Sequence, residues 1–250
     1  MRWIKGLIPT VIILLGALLL GCICYISIWG VPSFVVQRVE QALLEKGIPS
    51  HIETLKVTLW PRAVVTLKNV ELLDPEAMPE TRRPIVLLHE ADVALNWKKL
   101  IEGQVVPERV NVKGMDVTLP VDAGNPEKVF SVTGVNAELN LGRPGMVDIV
   151  KADAVVQGIR VTAQGAFSIG QDDSGDFTLT AQDMGAVREQ LNQVLNYMDR
   201  VKWPDASPPR LIVNLSDDPK GGVRVGMDLQ APVLRYGKIM VRDFLFNGDY

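Results

Sequence analysis

The sequence predicts a mainly β protein carried on one N-terminal transmembrane helix. Three observations support this fold class. An uncharged, mostly apolar run extends from Leu7 to Val36. From about residue 49 to the end, apolar and polar residues alternate in many short segments, the period of a half-buried strand. Only two segments outside the apolar run have the apolar spacing of a helix.

The N-terminal run predicts a membrane anchor. Its part up to Trp29 already exceeds the roughly 20 residues that cross a bilayer. Arg2 and Lys5 precede it, which places residues 1–6 in the cytoplasm, residues 7–30 in the membrane and the remaining chain on the far side. A cleaved signal peptide would have a shorter apolar region, about 7–15 residues, and a small-residue cleavage site. We therefore predict that the helix is retained.

Two helices are expected beyond the membrane. Residues 31–48 predict a juxtamembrane amphipathic helix that Ser33 caps and that Gly47 and Pro49 end. Its apolar side is expected to pack on the first strands rather than lie in the lipid interface. A second helix is predicted at about residues 183–202, with Asp183 as its cap. Its apolar stripe predicts core packing or a cover over part of an apolar surface.

Strands fill residues 49–250, the predicted extracytoplasmic domain. Alternation over Ala91 to Trp97 predicts one strand, and further strands are predicted around residues 155–163 and 177–181. Polar segments predict the connections between strands. These connections are residues 74–84, 142–145, 171–176 and 216–222.

Composition excludes several functions. The formal charge is −3 from 26 Lys and Arg against 29 Asp and Glu, and no basic block stands out, so a nucleic-acid partner is not expected. Both cysteines, Cys22 and Cys24, lie in the apolar run, which argues against a zinc site or a disulfide framework in the β domain. We find no convergent nucleophile, base or metal-ligand motif. The chain is therefore predicted not to be an enzyme and to need no cofactor or metal.

The one-sided strands leave two architectures open. Two helices are too few to cover so many apolar strand faces, so the strands either face each other in a closed sandwich or curl into an open trough. A trough would offer an apolar, water-shielded surface to acyl chains.

Several strand-like segments of the chain resemble the AsmA-like family, the bacterial relatives of bridge-like lipid transfer proteins. The segments that carry the resemblance are "LKVTLWP" (Leu55 to Pro61), "VVTLKNVELLDP" (Val64 to Pro75), and "ADVALNWKKLIEG" (Ala91 to Gly103) followed by "VPERVNVKGMDVTLP". The closing residues 231–250 are similar to later strands of that family. The resemblance implies an inner-membrane protein with a periplasmic, curved antiparallel β-groove, taco-like and apolar inside, linked to phospholipid transport and outer-membrane lipid homeostasis. Members that bridge two membranes are usually much longer than this chain.

The predicted partner is membrane phospholipid, through its acyl chains. For the strand-like segment near Tyr250 two expectations stay open: the sequence is a fragment of a longer protein, or the unpaired edge of this strand meets another chain in a homo- or hetero-oligomer. The alternative function is that of a membrane-anchored assembly or scaffold component of the cell envelope, similar to the N subunit of type II secretion, in which the apolar faces form a closed core.

The residues predicted to line a lipid groove are Val93, Leu95, Trp97, Val112, Val117, Leu119, Val135, Ala137, Leu139, Val225, Met227 and Leu229.

Overall fold

One large β-sheet, accompanied by a few short helices, makes up the part of the protein that the computed structural model describes. These are residues 31–59, 61–75, 83–122, 125, 127–168, 181–204, 206–218 and 222–249. The predicted cytoplasmic segment 1–6 and transmembrane helix 7–30 lie outside these residues. Within them, no helix is both long enough and apolar enough to cross a membrane.

The helices are α1 (Ser33–Glu45), α2 (Trp97–Ile101) and α3 (Ala181–Met198). The strands are β1 (Ser50–Thr58), β2 (Val64–Leu73), β3 (Pro84–Leu95), β4 (Pro107–Pro120), β5 (Val129–Asn140), β6 (Met146–Val156), β7 (Ile159–Ser168), β8 (Val201–Lys202), β9 (Arg210–Asp217), β10 (Val223–Tyr236) and β11 (Ile239–Asp249).

The sheet is an antiparallel meander with one parallel step. The strand order is β1-β2-β3-β4-β5-β6-β7-β9-β10-β11, and the two-residue β8 pairs with the end of β10. The prediction of a purely antiparallel sheet is wrong at one place, because β7 and β9 pair in parallel. Parallel neighbours require a crossover connection, and α3 lies in the connection between these two strands.

The predicted turn at residues 142–145 is confirmed, because it joins β5 to β6. β9 extends to Asp217 and pairs antiparallel with β10, which begins at Val223, and residues 219–221 of the predicted connection lie outside the described residues. The predicted connection 74–84 lies between β2 and β3 in sequence, but Pro84 already belongs to β3 and residues 76–82 are outside the described residues. The single strand predicted over residues 155–163 is wrong. Gln157 and Gly158 turn the chain there with φ values of 50° and 81°, so the segment contributes the ends of two strands, β6 and β7. Residues 171–176 and most of 177–181 lie outside the described residues, and Ala181 belongs to α3.

Both predicted amphipathic helices are present, with different bounds. The second was predicted to reach residue 202, but it ends at Met198, because Val201 and Lys202 form β8 and pair with β10. Pro32 is the N-cap residue of α1 and Ser33 its first helical residue, and no side chain caps the helix, so the capping role predicted for Ser33 is wrong. The helix ends before Gly47, as predicted. Because α3 already includes Ala181, Asp183 lies inside the helix instead of capping it.

A small core holds α1 against the first strands. Val36 is buried against Ile52 of β1 and Val70 of β2, which confirms that the helix packs on the sheet. Partly buried neighbours from the helix and from three strands extend this cluster. They are Val39, Leu43, Leu55, Leu67, Leu72 and Leu88.

Candidate functional site

One face of the sheet is apolar across all its long strands, and we call it the apolar face. Residues directly opposite each other in a ladder lie on the same face, so the register identifies its members. Typical facing pairs are Val65 with Val93, Val93 with Val110, Val110 with Leu139, Leu139 with Ile149, Val161 with Leu211, and Leu211 with Leu229. The face therefore runs from the first strands to the last without a polar strand between them.

Within each of the first five strands, the alternation of apolar and polar residues shifts by one position. The positions at which it shifts form a row across these strands, and we call this row the switch row. Glu53, Asn69, His89 and Gly114 lie opposite one another by the register of their flanking pairs, and Gly134 lies beside the row at a bulge in β5. Apolar residues flank the row on both sides. In β2, for example, Leu67 precedes it and Val70 follows it, yet both contact the same cluster under α1.

Backbone conformation accounts for the switch in β2, β4 and β5. Asn69, Gly114 and Gly134 have φ values of 49°, 67° and 62°, in the left-handed region, which removes one step of the alternation. Side chains bind the amides freed there: Gly114 N donates to Asn136 Oδ1 at 3.1 Å and Gly134 N to Asp116 Oδ1 at 2.7 Å. The row therefore keeps apolar residues on one face although their spacing in sequence is odd.

The structure brings most of the predicted lining residues together. Those of β3, β4 and β5 lie on three adjacent strands, with Val112 opposite Ala137. Val225, Met227 and Leu229 lie on β10, which three strands separate from β5 in the sheet order. Trp97 is the exception, because β3 ends at Leu95 and the Asn96 side chain caps α2 by accepting a hydrogen bond from Lys99 N at 3.0 Å. Trp97 therefore begins a helix with 45% of its surface exposed.

Sequence reasoning missed the residues that connect the two groups. Ala152, Val161 and Val213, on β6, β7 and β9, continue the apolar face between β5 and β10. Their signal was the same alternation. For Ala152 and Val161 the undetected turn at Gln157 and Gly158 obscured it, whereas for Val213 the alternation was visible and the residue was not included among the lining residues.

Most side chains of the apolar face are half-buried. Leu119 and Ala91 are the deepest of those in β3 and β4, at 6% and 5% exposure. Val93, Val112, Val117, Ala137 and Leu139 all keep intermediate exposure. A closed sandwich buries the inner faces of both sheets almost completely, whereas every strand that the structure describes belongs to a single sheet.

Helix α3 lies at one end of the strands. Arg188 Nη2 donates to both carboxylate oxygens of Asp74, just after β2, at 2.8 and 2.9 Å. Lys128 Nζ, just before β5, donates to Asn196 Oδ1 at 2.6 Å. Leu195 of the same helix is buried at 6% exposure. These contacts hold α3 at the end of the sheet where β2 and β4 terminate.

The opposite face carries ion pairs between neighbouring strands. Glu90 Oε2 lies 2.8 Å from Lys68 Nζ, Glu90 Oε1 lies 2.6 Å from Lys113 Nζ, and Lys113 also pairs with Asp92 at 3.3 Å. Hydrogen bonds from Lys113, and to a smaller extent from Lys68, lower the pKa of Glu90 to about 2. The pKa of Lys113 is raised by its hydrogen bonds to Glu90 and Asp92. This face is built for contact with water.

A cavity of about 630 Å³ lies near α2, at the end of the strands away from α3. Two of the predicted lining residues, Leu95 and Trp97, contribute to it, together with charged Arg62, Lys98 and Glu108. Asn96 Nδ2 donates to Glu108 Oε1 at 2.7 Å in its wall. The cavity is therefore mixed in polarity, unlike the apolar face. Across the residues with described positions, no group of three or more His, Cys, Asp or Glu side chains could hold a metal ion.

Comparison with protein-family models, with curated proteins and with solved structures found no match to this chain. The candidate site therefore rests on the geometry of the apolar face.

Proposed function

We propose that the apolar face is the interior of a curved, taco-like groove that binds or conducts phospholipid acyl chains between membranes. The observation that carries this proposal is the continuous, half-buried apolar face of a single sheet, with a water-facing network of ion pairs on the other side. An acyl chain gains free energy from apolar contact along its whole length, at roughly 25 cal/mol per Å² of buried apolar surface. A long apolar face therefore suits an acyl chain better than it suits a compact, polar ligand.

The proposed setting is the bacterial inner membrane, with residues 1–6 in the cytoplasm, residues 7–30 spanning the bilayer and the sheet in the periplasm. The charge pattern around the apolar run supports this orientation. Helix α1 follows this run and packs on β1, so the anchor leads directly to the first strands. The proposed role is binding and transfer without covalent chemistry, in support of outer-membrane lipid homeostasis.

Photo-crosslinking in membranes tests the proposal. A benzophenone amino acid replaces Val117 on the apolar face in the full-length protein, and Thr118, exposed on the same strand, provides the matched control. We expect a covalent phospholipid adduct, detected by mass spectrometry, at position 117 and none at position 118. Absence of lipid at position 117 in folded protein would overturn the proposal.

A charge on the same strand separates the groove from the scaffold alternative. Val117→Asp should lower lipid capture while the circular dichroism spectrum stays that of a folded β protein, because a groove leaves room for water at the new carboxylate. In a closed core the same carboxylate would be buried without a partner and would unfold the domain. Thr118→Asp should change neither property. Unfolding by Val117→Asp alone would favour the scaffold alternative.

A further inference from the structure

The outer edge of β11 combines an open ladder with apolar side chains on both faces. Of the strands described, β11 pairs only with β10 and ends the sheet. Ile239, Met240, Leu245 and Phe246 are 64%, 58%, 72% and 49% exposed. Natural sheets usually protect such edges with charged side chains, Pro, bulges or short strands, because an open apolar edge pairs with other strands. β11 is 11 residues long and contains neither Lys nor Pro, and Arg242 and Asp243 at its centre are its only charged residues before Asp249.

The two faces of β11 follow from its pairing with β10. Phe244 and Phe246 lie opposite Ala231 and Leu229 on the apolar face. Asp243 has φ 54°, in the left-handed region, and shifts the alternation as Asn69 does in β2. Val241 therefore returns to the apolar face, and Met240 and Leu245 lie on the other one.

We infer that β11 pairs antiparallel with β11 of a second copy of this chain. An antiparallel pair related by a two-fold axis perpendicular to the sheet keeps the apolar faces of both copies on the same side. In one register of this pair, apolar residues from Ile239 to Phe246 lie opposite apolar residues, and opposite charges face each other. Because the alternation shifts at Asp243, residues that lie opposite each other in this register belong to the same face of the sheet. In this register Ile239 lies opposite Phe246, Val241 opposite Phe244, Met240 opposite Leu245, and Arg242 opposite Asp243, each twice.

Charge complementarity favours a second copy as the occupant. Arg242 and Asp243 are adjacent in sequence, so a two-fold axis between them places each cation opposite the anion of the other copy. No copy-to-copy pair in this register brings like charges together. The inference goes beyond lipid binding, and its consequence is an apolar face of double width. At about 4.8 Å between neighbouring strands, the ten strands in the order of one copy extend about 43 Å and those of two copies about 91 Å.

Disulfide crosslinking of the full-length protein in membranes tests the register. Met240→Cys and Leu245→Cys are combined in a Cys22→Ser, Cys24→Ser background. Directly opposite residues have Cβ atoms about 4.5–5.5 Å apart, close enough for oxidation to join them after a small adjustment. We expect a covalent dimer from the double variant. Met240→Cys alone is the control, because its partner position in the register is Leu245, and it should stay monomeric on a denaturing gel.

A charge reversal tests the strength of the pairing. Arg242→Glu places a carboxylate opposite Asp243 and should weaken the dimer at least tenfold, measured by light scattering of the full chain in detergent over a concentration series. Arg224→Glu, on an exposed residue of β10 away from this edge, should leave the dimer unchanged.

A monomer at all concentrations would overturn the inference, and so would a dimer that neither crosslinks at residues 240 and 245 nor responds to Arg242→Glu. Circular dichroism confirms that each variant is folded. The lipid adduct at position 117 is scored in the same samples and does not depend on β11, so loss of the dimer leaves the lipid proposal separately testable.

Discussion

Replacing Gly114 by Ala tests whether the switch row is held by local backbone and side-chain geometry. Gly114 has φ 67°, and a Cβ there would lie 2.9 Å from His89 Cδ2. Gly134 is a matched control in the same region, because it has φ 62° and a Cβ there would meet nothing within 4 Å. Both substitutions impose the same backbone penalty, and only the one at Gly114 adds a steric contact.

The expected magnitudes follow from these two terms. A left-handed Ala costs about 1–2 kcal/mol, and the lower entropy of the unfolded Ala chain returns about 0.4–1 kcal/mol. Gly134→Ala should therefore destabilise the fold by roughly 1 kcal/mol. Gly114→Ala should add about 0.5–1.5 kcal/mol, the cost of moving the exposed His89 ring away from its preferred rotamer.

Urea unfolding followed by circular dichroism measures both free energies. In a His89→Ala background the additional cost at Gly114 should disappear, leaving the two glycine substitutions equal. The reasoning fails if Gly114→Ala is no more destabilising than Gly134→Ala, or if the difference survives removal of the His89 ring.

Two further predictions concern ionic contacts. The folded pKa of Glu90 is about 2, below its ordinary value of 4.5, so its ion pairs stabilise the fold fully above pH 4.5 and progressively less as the pH falls toward 2. Glu90→Gln should therefore lower the urea midpoint relative to wild type at pH 7, and the two midpoints should converge toward pH 2; a constant difference would contradict this. Arg188→Ala should cost about 1.5–3 kcal/mol in urea unfolding by removing the hydrogen bonds that Nη2 donates to both oxygens of Asp74, whereas Arg188→Lys, which keeps the positive charge but carries it on a shorter side chain, should recover only part of it. Equal stability of Arg188→Ala and wild type would show that this contact does not hold α3.

The alternation of apolar residues was sufficient to predict a mainly β fold, many residues of the apolar face and the turn at residues 142–145. It identifies a face because the side-chain period of a strand is fixed at two. Val112 and Ala137 were assigned from this pattern alone, and the register places them opposite each other.

The errors have local causes. Trp97 continues the alternation of β3 in sequence, but the Asn96 side chain satisfies a helical amide and starts α2 instead. Val155 to Ala163 is apolar enough for one strand, yet Gln157 adopts a left-handed conformation that hydropathy does not reveal. The parallel pairing of β7 with β9 depends on the path of the chain through α3, which no strand pattern encodes.

The meander from β1 to β7 has a consequence for how this protein could change in length. Each strand there pairs with its neighbours in sequence, so a hairpin is a modular unit whose addition or loss requires only two new ladders. Quasi-one-dimensional proteins of this kind have stabilities that approximate a sum over neighbouring units. The sheet could therefore lengthen or shorten hairpin by hairpin during evolution while the first strands that pack against α1 and the apolar character of the face remain the same.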